Sequence, residues 1–357
     1  MRSTSEVFSE DMKAAYFSQH GGPDVMIYGD AVWSAANPEP KRGEVAVRIK
    51  AAAMNRVDKW VRDGWQGLKL PLPHILGSDG AGVVESVGDD VKNFKAGDRV
   101  TINTNIGCGH CAMCVAGQDN LCDDWHLFGE TTNGTNAELV AVHERQLLRL
   151  PENFPFDQAA AAGLVFHTAW HSLITKGKLR AGESVLVVGA GGGVNSASIQ
   201  IAKYAGCFVY VVGSDERKLD YAGSLGADVL IDRSKEDWGK KVYQLTDKRG
   251  VDVVVDNVGA GTMMTSLRCA RKGGRILTVG NTAGPKFEFD NRFMFGKHLS
   301  LIGSTMGTLK DFRDVMNLVF AGKLYAPIDS TFPLADIRAA HEKLDKGDVL
   351  GKIVLIP

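Results

Sequence analysis

The second half of the sequence alternates apolar strands with amphipathic helices, and this alternation restricts the fold more than any other feature. Strand-like runs such as "ESVLVVGA", "CFVYVVGS" and "VDVVVDNVG" are separated by helical segments such as "GGVNSASIQIAKYAG". Continuous apolar strands joined through helices form crossover units, whose strands run parallel and are covered on both faces. The pattern therefore predicts a doubly wound α/β sheet, with "LSLIGST" as its sixth strand.

A glycine cluster lies between the first of these strands and its helix, in "VLVVGAGGGVNSASIQIAK". Glycine lets the backbone approach a pyrophosphate, whose charge is met by the N–H groups at the helix N-terminus. The predicted dinucleotide-binding residues of this loop are Gly191, Gly192, Gly193 and Val194. The third glycine of the usual fingerprint is missing, and Asn195 or Val194 takes its place, depending on the register chosen. A tight structural turn is the alternative interpretation.

The end of the second strand bears on which dinucleotide is bound. An acid at that position would accept hydrogen bonds from both ribose hydroxyls of NAD(H), but here the position is held by Gly213. Ser214, Arg217 and Lys218 follow, and a hydroxyl with two cations suits the 2′-phosphate of NADP(H). The acidic residues at 215 and 216 favour NAD(H) instead. We expect NADP(H) over NAD(H).

Four of the six cysteines fall close together with the spacing C-x2-C-x2-C-x7-C. In a reducing compartment such a cluster favours metal binding over two disulfides. The predicted metal ligands are Cys108, Cys111, Cys114 and Cys122. An iron–sulfur cluster is the rival interpretation, but its fourth cysteine normally follows after three residues and precedes a proline. A nucleic-acid-binding zinc finger is disfavoured by the nearby acids Asp119, Asp123 and Asp124.

The first half of the sequence contains short β-branched segments such as "EVAVRIKAAAM" and "GAGVVESVG", which predict a β-rich module. The 41 Lys and Arg residues nearly balance the 42 Asp and Glu residues, which argues against a nucleic-acid or anionic-membrane binder. The N-terminus lacks the apolar run of a secretory signal, and the longest apolar stretch, residues 159–166, is too short for a bilayer. We expect a cytoplasmic protein.

These features resemble the medium-chain dehydrogenase/reductase superfamily along essentially the whole chain from Met12. The signatures are "NRVDKWVRDG", "ILGSDGAGVVESVG", "AGDRV", the cysteine cluster, "HTAWHSL", the glycine loop and "GKIVLIP". The resemblance implies a GroES-like β-rich catalytic domain over residues 12–164 and 309–357, to which the terminal strand returns. It implies a Rossmann domain over residues 165–308. It also implies one structural zinc on the four cysteines, in a lobe at about residues 104–124, where four thiolates close a tetrahedral site.

Alcohol dehydrogenases of this superfamily hold a second, catalytic zinc, for which this sequence lacks the ligands. By motif, the first cysteine corresponds to Asn55, the histidine–glutamate pair to Ser78 and Asp79, and the last cysteine to Leu164. Asparagine and serine are poor zinc ligands, and leucine is none. In these motifs the chain is most similar to the zinc-free quinone oxidoreductase and enoyl reductase branch, although it keeps the cysteine lobe.

A site without a metal requires a hydride acceptor that is already activated, because no Lewis acid stabilises an alkoxide. We therefore expect an NADPH-dependent reductase that transfers hydride to an enone, a quinone or a short 2-enoyl-CoA such as acryloyl-CoA. One alternative is a zinc-type alcohol dehydrogenase with unusual ligands. Another is a non-enzymatic NADPH-binding scaffold or redox sensor.

The predicted catalytic residues are Asn55, as a hydrogen-bond donor to the developing enolate, and His167, as a donor of a hydrogen bond or a proton. The alternatives are a turn cap for Asn55 and a buried, hydrogen-bonded core histidine for His167. Asp58 and Asp79 are expected to orient their neighbours. The resemblance places Arg56 at the pyrophosphate, with a surface salt bridge as the alternative. It places four residues at the nicotinamide end, namely Thr168, Val258, Gly280 and Asn281.

Substrate and assembly are less sharply defined. Lys59, Arg62 and Lys69 are candidates for binding the phosphates of a coenzyme A ester, unless they are simply solvated. The segment "LSLIGST" lies where superfamily members pair their sheet edges, so we expect a homodimer or tetramer. The expected partner is a small-molecule substrate, with neither nucleic acid nor a membrane.

Overall fold

The computed structural model describes residues 12–30, 40–284 and 286–357. These residues divide into two compact units. The first runs up to Leu164 and resumes over Ile328–Pro357, and the second is Val165–Pro327. Within the described residues, no helix is both long and apolar enough to cross a bilayer.

The first unit is mainly antiparallel β-structure. Its strands are β1 (Lys13–Phe17), β2 (Ile27–Asp30), β3 (Glu44–Ala53), β4 (His74–Ile75), β5 (Asp79–Val87), β6 (Arg99–Ile102), β7 (Asn105–Ile106), β8 (His126–Leu127), β9 (Leu139–His143), β10 (Leu147–Arg149), β17 (Ile328–Pro333) and β18 (Lys352–Ile356). Its helices are α1 (Arg56–Asp63), α2 (Ala112–Val115), α10 (Ile337–Lys346) and the first part of α3 (Phe156–Trp170). Short 3-10 turns span Pro23–Val25, Asp119–Leu121, Glu144–Gln146 and Leu334–Asp336.

The main sheet of this unit has the strand order β10-β6-β5-β3-β18-β17, and β9 also pairs with β3. Strand β3 buries Val45, Val47 and Ile49 in the core, as expected for a strand with one face turned inward. Strand β18 pairs antiparallel with β3. The prediction that "GKIVLIP" returns to the β-rich module is therefore confirmed.

The second unit is a parallel sheet with helical connections. Its strands are β11 (Ser184–Val188), β12 (Phe208–Gly213), β13 (Val229–Asp232), β14 (Val251–Asp256), β15 (Ala270–Thr278) and β16 (Ser300–Gly303). Its helices are the end of α3 followed by a π-helical turn (His171–Lys176), then α4 (Gly193–Tyr204), α5 (Glu216–Ser224), α6 (Trp238–Leu245), α7 (Met263–Cys269), α8 (Asn291–Gly296) and α9 (Leu309–Phe320).

The order of the parallel strands is β13-β12-β11-β14-β15-β16. This is the doubly wound order, and its direction reverses between β11 and β14. Apolar side chains such as Leu186, Val212 and Val254 fill the core on the sheet. The predicted fold class, including the sixth strand in "LSLIGST", is confirmed.

The second boundary between the units falls between Pro327 and Ile328, not at residue 309. Helix α9 stays with the second unit because Asp311, in its first turn, bonds to that unit. Its carboxylate accepts a hydrogen bond from His171 Nδ1 at 2.7 Å and another from the hydroxyl of Thr175. The sequence pattern shows where this helix begins but not which unit it packs against.

Candidate active site and cofactor loop

Three strand ends of the first unit meet at one edge of its main sheet. Ala53, the last residue of β3, lies opposite Asp79, the first residue of β5. Val354 of β18 also lies opposite Ala53, so the antiparallel register places Lys352 level with Asn55. The register thus brings together three polar residues that are far apart in the sequence.

Asn55, Asp79 and Lys352 form one buried group, which we call the polar cluster. Lys352 Nζ donates to Asn55 Oδ1 at 2.6 Å and to Asp79 Oδ2 at 3.0 Å. Asn55 Nδ2 donates to the same Asp79 oxygen at 2.9 Å. The three residues are 6%, 1% and 3% exposed. Since an ammonium group only donates and a carboxylate only accepts, these contacts define the orientation of the Asn55 amide.

Two carboxylates hold the surrounding backbone. Asp58 accepts hydrogen bonds from the N–H groups of Asn55, at 2.6 Å, and Gly77, at 3.0 Å. Burial raises the pKa of Asp58 to about 6, although the two N–H donors act in the opposite direction. The second oxygen of Asp79 accepts from the N–H of Leu164 at 2.6 Å. Both aspartates therefore orient neighbouring groups, as the sequence predicted.

The residues at the positions of the missing zinc ligands do not make a metal site. The Asn55 oxygen is bonded to the Lys352 ammonium, and Leu164 contributes only a backbone N–H. The buried Ser78 hydroxyl has no hydrogen-bond partner among the described residues. An ammonium group in contact with Asn55 and Asp79 repels a metal ion, and this donor set does not fit one.

Sequence reasoning missed Lys352. The available signal was a single lysine in an otherwise apolar terminal strand, "KIVLI". A lysine in such a strand is either at its exposed end or paired in the interior, and only the register of β18 with β3 distinguishes the two.

The four cysteines form the one group of three or more metal-ligating side chains that the described residues bring close enough to hold an ion. Their sulfur atoms lie within 4.8 Å of one another, with 4.0 Å between Cys108 and Cys114 and 3.8 Å between Cys111 and Cys122. Four Zn–S bonds of about 2.3 Å in a tetrahedron separate the sulfurs by about 3.8 Å. The N–H of Cys111 also donates to the Cys108 sulfur at 3.3 Å. The donor set fits a structural zinc.

The glycine loop of the second unit lies between β11 and α4, at the point where the strand order reverses. Gly192 is the residue before α4, and a Cβ added there would meet no atom within 4 Å. Gly193 and Val194 begin the helix, whose first N–H groups lack intrahelical partners and suit a pyrophosphate. Gly189 has a φ of 104°, which favours glycine, and a Cβ there would lie 2.8 Å from Asn195 Nδ2.

Asn195, which replaces the third fingerprint glycine, connects three strand ends. Its Nδ2 donates to the carbonyl oxygens of Val188, at 3.0 Å, and Gly189, at 2.8 Å. Its Oδ1 accepts from Asn257 Nδ2 at 3.0 Å, and Asn257 Oδ1 in turn accepts from the N–H of Val279 at 2.9 Å. The substitution thus adds a pair of amides that supports the loop.

The end of β12 has no room for the acidic side chain that binds a ribose. A Cβ on Gly213 would lie 2.6 Å from Leu219 Cδ2. Asp215 instead caps α5, since its Oδ1 accepts from the Lys218 N–H at 3.0 Å. Its Oδ2 accepts from Ser214 Oγ at 2.9 Å and lies 3.1 Å from Lys218 Nζ. The hydrogen bond from the Lys218 N–H is the main cause of a lowered pKa for Asp215. Asp215 is therefore engaged as a helix cap.

His167 does not have the environment of a proton donor. It is fully buried, and its Nε2 donates to the carbonyl oxygen of Thr308 at 2.8 Å. Burial lowers the pKa of His167 to about 4, so the ring is neutral near pH 7. A neutral imidazole whose N–H is bonded to the backbone cannot supply a proton. We correct the catalytic assignment of His167 to that of a buried core histidine.

The residues predicted at the nicotinamide end belong to the second unit. Thr168 Oγ1 lies 3.5 Å from Met306 Sδ. Val258 follows β14, and Gly280 and Asn281 follow β15, so all three lie at the carboxyl edge of the sheet. Ligands of doubly wound sheets bind at this edge.

The cations of helix α1 have different environments. Arg56 is exposed and has no ion pair among the described residues, so a surface salt bridge is not seen there. Lys59 lies 3.4 Å from Asp345, and the fully buried Arg62 lies 2.8 Å from the same residue. Arg62 therefore cannot meet the phosphates of coenzyme A, and Lys59 is already paired. Of the three cations considered for binding the phosphates of coenzyme A, Lys69 is exposed and stays a candidate.

Together, the antiparallel unit with its cysteine lobe and the doubly wound unit with its glycine loop define an oxidoreductase dependent on NAD(P)H. The family described as "Alcohol dehydrogenase GroES-like domain" matches residues 41–152, and the family described as "Zinc-binding dehydrogenase" matches residues 193–321. The chain thus belongs to the medium-chain dehydrogenase/reductase superfamily, with a GroES-like domain and a Rossmann domain.

Three similar proteins illustrate the range of this superfamily. A quinone oxidoreductase of Pseudomonas aeruginosa is 32% identical over 97% of this chain and 99% of its own. A crotonyl-CoA reductase of Streptomyces avermitilis is 32% identical over 90% of this chain and 81% of its own. The crystal structure of an NAD-dependent alcohol dehydrogenase superposes with a TM-score of 0.93, at 41% identity, over 97% of this chain and 100% of that one.

Proposed function

We propose that the protein is an NADPH-dependent reductase of activated double bonds, acting on enones, quinones or short 2-enoyl-CoA esters such as acryloyl-CoA. The polar cluster is the observation that supports this proposal. Asn55 and Asp79 correspond by motif to zinc-ligand positions of the alcohol dehydrogenases of the superfamily, and here both are bonded to the buried ammonium group of Lys352. The Asn55 amide can donate to an oxygen that gains negative charge, whereas the cluster as a whole does not suit a Lewis-acidic metal.

NADPH, when bound, would supply the hydride for the β-carbon of the conjugated alkene, and the residues of the chain would stabilise the charge that results. The Asn55 amide donates a hydrogen bond to the carbonyl oxygen, where the negative charge of the enolate develops. A donor held in place before the charge appears is effective, and removal of one such donor typically lowers kcat by about 100- to 1,000-fold. Uptake of a proton at the α-carbon completes the reduction.

The cofactor is proposed to be NADP(H) and not NAD(H). Gly213 leaves no acid at the end of β12, and Asp215 is occupied as a helix cap. Ser214, Arg217 and Lys218 would bind the 2′-phosphate through a hydroxyl and two cations. We further propose one structural zinc on the four cysteines, and a homo-oligomer that pairs through the edge strand β16.

An alcohol dehydrogenase with unusual zinc ligands is the second candidate function. The observation that favours it is the 41% identity to an NAD-dependent alcohol dehydrogenase. The composition of the polar cluster argues against it, because a second zinc would have to displace the Lys352 ammonium. The number of zinc ions per chain separates the two candidates.

The test is a substrate panel followed by the absorbance of the reduced nicotinamide. 1,4-Naphthoquinone, 3-penten-2-one, crotonyl-CoA and acryloyl-CoA are each tested with NADPH and with NADH, and the saturated butanal and 2-pentanone serve as controls. We expect oxidation of NADPH with at least one activated acceptor and none with the saturated compounds. Turnover confined to butanal or 2-pentanone would contradict the proposal. Binding of NADPH without any turnover would indicate a scaffold or sensor.

A further inference from the structure

The polar cluster contains the positive charge of Lys352, which has no role in the steps of the proposed reaction. Lys352 is 3% exposed, and the next three residues of β18, Ile353, Val354 and Leu355, are buried and apolar. Transfer of an ammonium group from water into such surroundings is costly, and a buried pair with one carboxylate often fails to repay that cost. Stability alone therefore does not explain why a lysine is placed here.

The hydrogen bonds of the cluster suggest a role that acts through Asn55. The Asn55 oxygen is held by Lys352 Nζ at 2.6 Å, so the Nδ2 group must point the other way. Nδ2 has two hydrogens, of which one is bonded to Asp79 at 2.9 Å. The other faces the carbonyl oxygen of Ala53 at 3.4 Å, which is long for a hydrogen bond. One N–H of the amide is therefore only weakly held.

The positive charge also changes the amide as a donor. A cation bonded to an amide oxygen polarises the group and strengthens its N–H bonds as donors, especially where the surroundings are dry. The weakly held N–H of Asn55 is thus a donor whose orientation and strength both depend on Lys352.

We propose that Lys352 is a positioning residue for the reduction, which orients the Asn55 amide and supplies through it the positive charge that a metal supplies in the zinc dehydrogenases. This inference rests on the function proposed above. The hydride pair forms a C–H bond at the β-carbon, the alkene π pair shifts toward the carbonyl carbon, and the carbonyl π pair moves onto oxygen. A proton from solvent then adds at the α-carbon, and Lys352 keeps its own protons throughout.

The contribution of Lys352 to the rate of reduction should differ between enones and quinones. A quinone becomes aromatic when it accepts the hydride, and it spreads the added charge over its own ring. A simple enone concentrates the charge on one oxygen and relies more on the protein. The contribution of Lys352 is therefore largest for enones.

Three variants test the inference. Lys352→Arg keeps the charge, and Lys352→Met removes it. Lys352→Met alone leaves Asp79 buried without a counter-charge, which can prevent folding. The double variant Lys352→Met with Asp79→Asn removes both charges. The matched control is Lys343→Met with Asp329→Asn, which removes another ion pair of the same unit.

The readouts are kcat and KM for 3-penten-2-one and 1,4-naphthoquinone, the Kd of NADPH from nicotinamide fluorescence, and the melting temperature. We expect the double variant to lose about 100-fold in kcat for 3-penten-2-one and about tenfold or less for the quinone. The Kd of NADPH should not change, and Lys352→Arg should retain most of the activity. The control pair should leave kcat unchanged.

Two results would overturn the inference while leaving the proposed function intact. One is a folded double variant whose kcat for 3-penten-2-one stays within about threefold of the wild type, a loss far below that of a missing oxyanion donor. The other is an equal loss for both substrates together with weaker NADPH binding, which indicates a purely structural role. Failure of the wild-type protein to reduce any of the four activated acceptors of the substrate panel would overturn the proposed function and the inference with it.

Discussion

The contacts of Asn55 are compatible with both roles that its position in the sequence presented as alternatives, a cap and the proposed donor. Its backbone N–H is bonded to Asp58, as in the cap of a helix, while its side chain belongs to a charged, buried cluster. Capping and the proposed hydrogen bond to substrate are compatible, because they use different atoms. A residue at the start of a helix can thus be held rigidly by its backbone while its amide remains directed by its neighbours.

Also at the scale of single residues, a variant of Lys218 tests whether the protein prefers NADPH or NADH. Lys218→Ala should raise the KM for NADPH by about 10- to 100-fold and leave the KM for NADH unchanged, because a hydrogen bond to a charged group contributes about 1.5–3 kcal/mol. The measurement is steady-state kinetics with both cofactors. Lys240→Ala is a close control, since Lys240 also lies three residues after an aspartate that caps a helix, Asp237. Equal effects on NADPH and NADH would contradict the proposed phosphate contact.

At the scale of elements, helix α1 is anchored to α10 by a fully buried arginine. Arg62 Nη1 donates to His341 Nδ1 at 3.0 Å, and its Nη2 donates to Asp345 at 2.8 Å. Nε donates to the carbonyl oxygen of Gly21 at 3.0 Å. His341 must be neutral to accept from a guanidinium. Burial, reinforced by the Arg62 charge, lowers the pKa of His341 to about 3.

This anchor predicts a pH dependence of stability. The folded pKa of His341 is below its ordinary value of about 6.5, so the unfolded chain takes up the proton first. The contribution of His341 is complete above about pH 6.5 and is lost as the pH falls toward 3. We expect a lower melting temperature at about pH 5 than at about pH 7.5, measured by circular dichroism.

A variant isolates this histidine from other titrating groups. His341→Asn keeps an acceptor near the position of Nδ1 and cannot be protonated, so the decrease in melting temperature on acidification should be smaller than in the wild type. His298→Asn, at an exposed position, should leave the decrease unchanged. An equal decrease in melting temperature on acidification in the two variants would contradict the proposed contribution of His341.

At the scale of the whole molecule, the metal content distinguishes the candidate functions. The purified protein should contain about one zinc per chain, because the described residues offer one closed set of four thiolates. Cys111→Ser should abolish zinc binding and lower the melting temperature, since a structural zinc contributes to folding. Cys207→Ser, which changes a buried cysteine outside the lobe, should retain the metal. Two zinc ions per chain would favour the alcohol dehydrogenase alternative.

Local patterns account for much of the fold. Apolar strands alternating with helices predicted the parallel sheet and its sixth strand, because each connection can pack only on a face of that sheet. The four cysteines were recognisable because metal ligands from one lobe lie close together in sequence. The local pattern does not show which unit helix α9 belongs to; the structure groups it with the second unit, where Asp311 accepts hydrogen bonds from His171 and Thr175.

The sequence by itself determined the two kinds of unit and the cysteine cluster, because these depend on residue type and short-range spacing. Its resemblance to the superfamily implied that the usual ligands for a catalytic zinc are absent. Only the tertiary structure decided what stands in place of those ligands. Lys352 lies 297 residues from Asn55, and it reaches Asn55 because β18 pairs with β3 in one particular register. A shift of that register by one residue would turn the lysine to the opposite face of the sheet. The burial that makes His167 a neutral core residue is likewise a property of packing, which its neighbours in the sequence do not reveal.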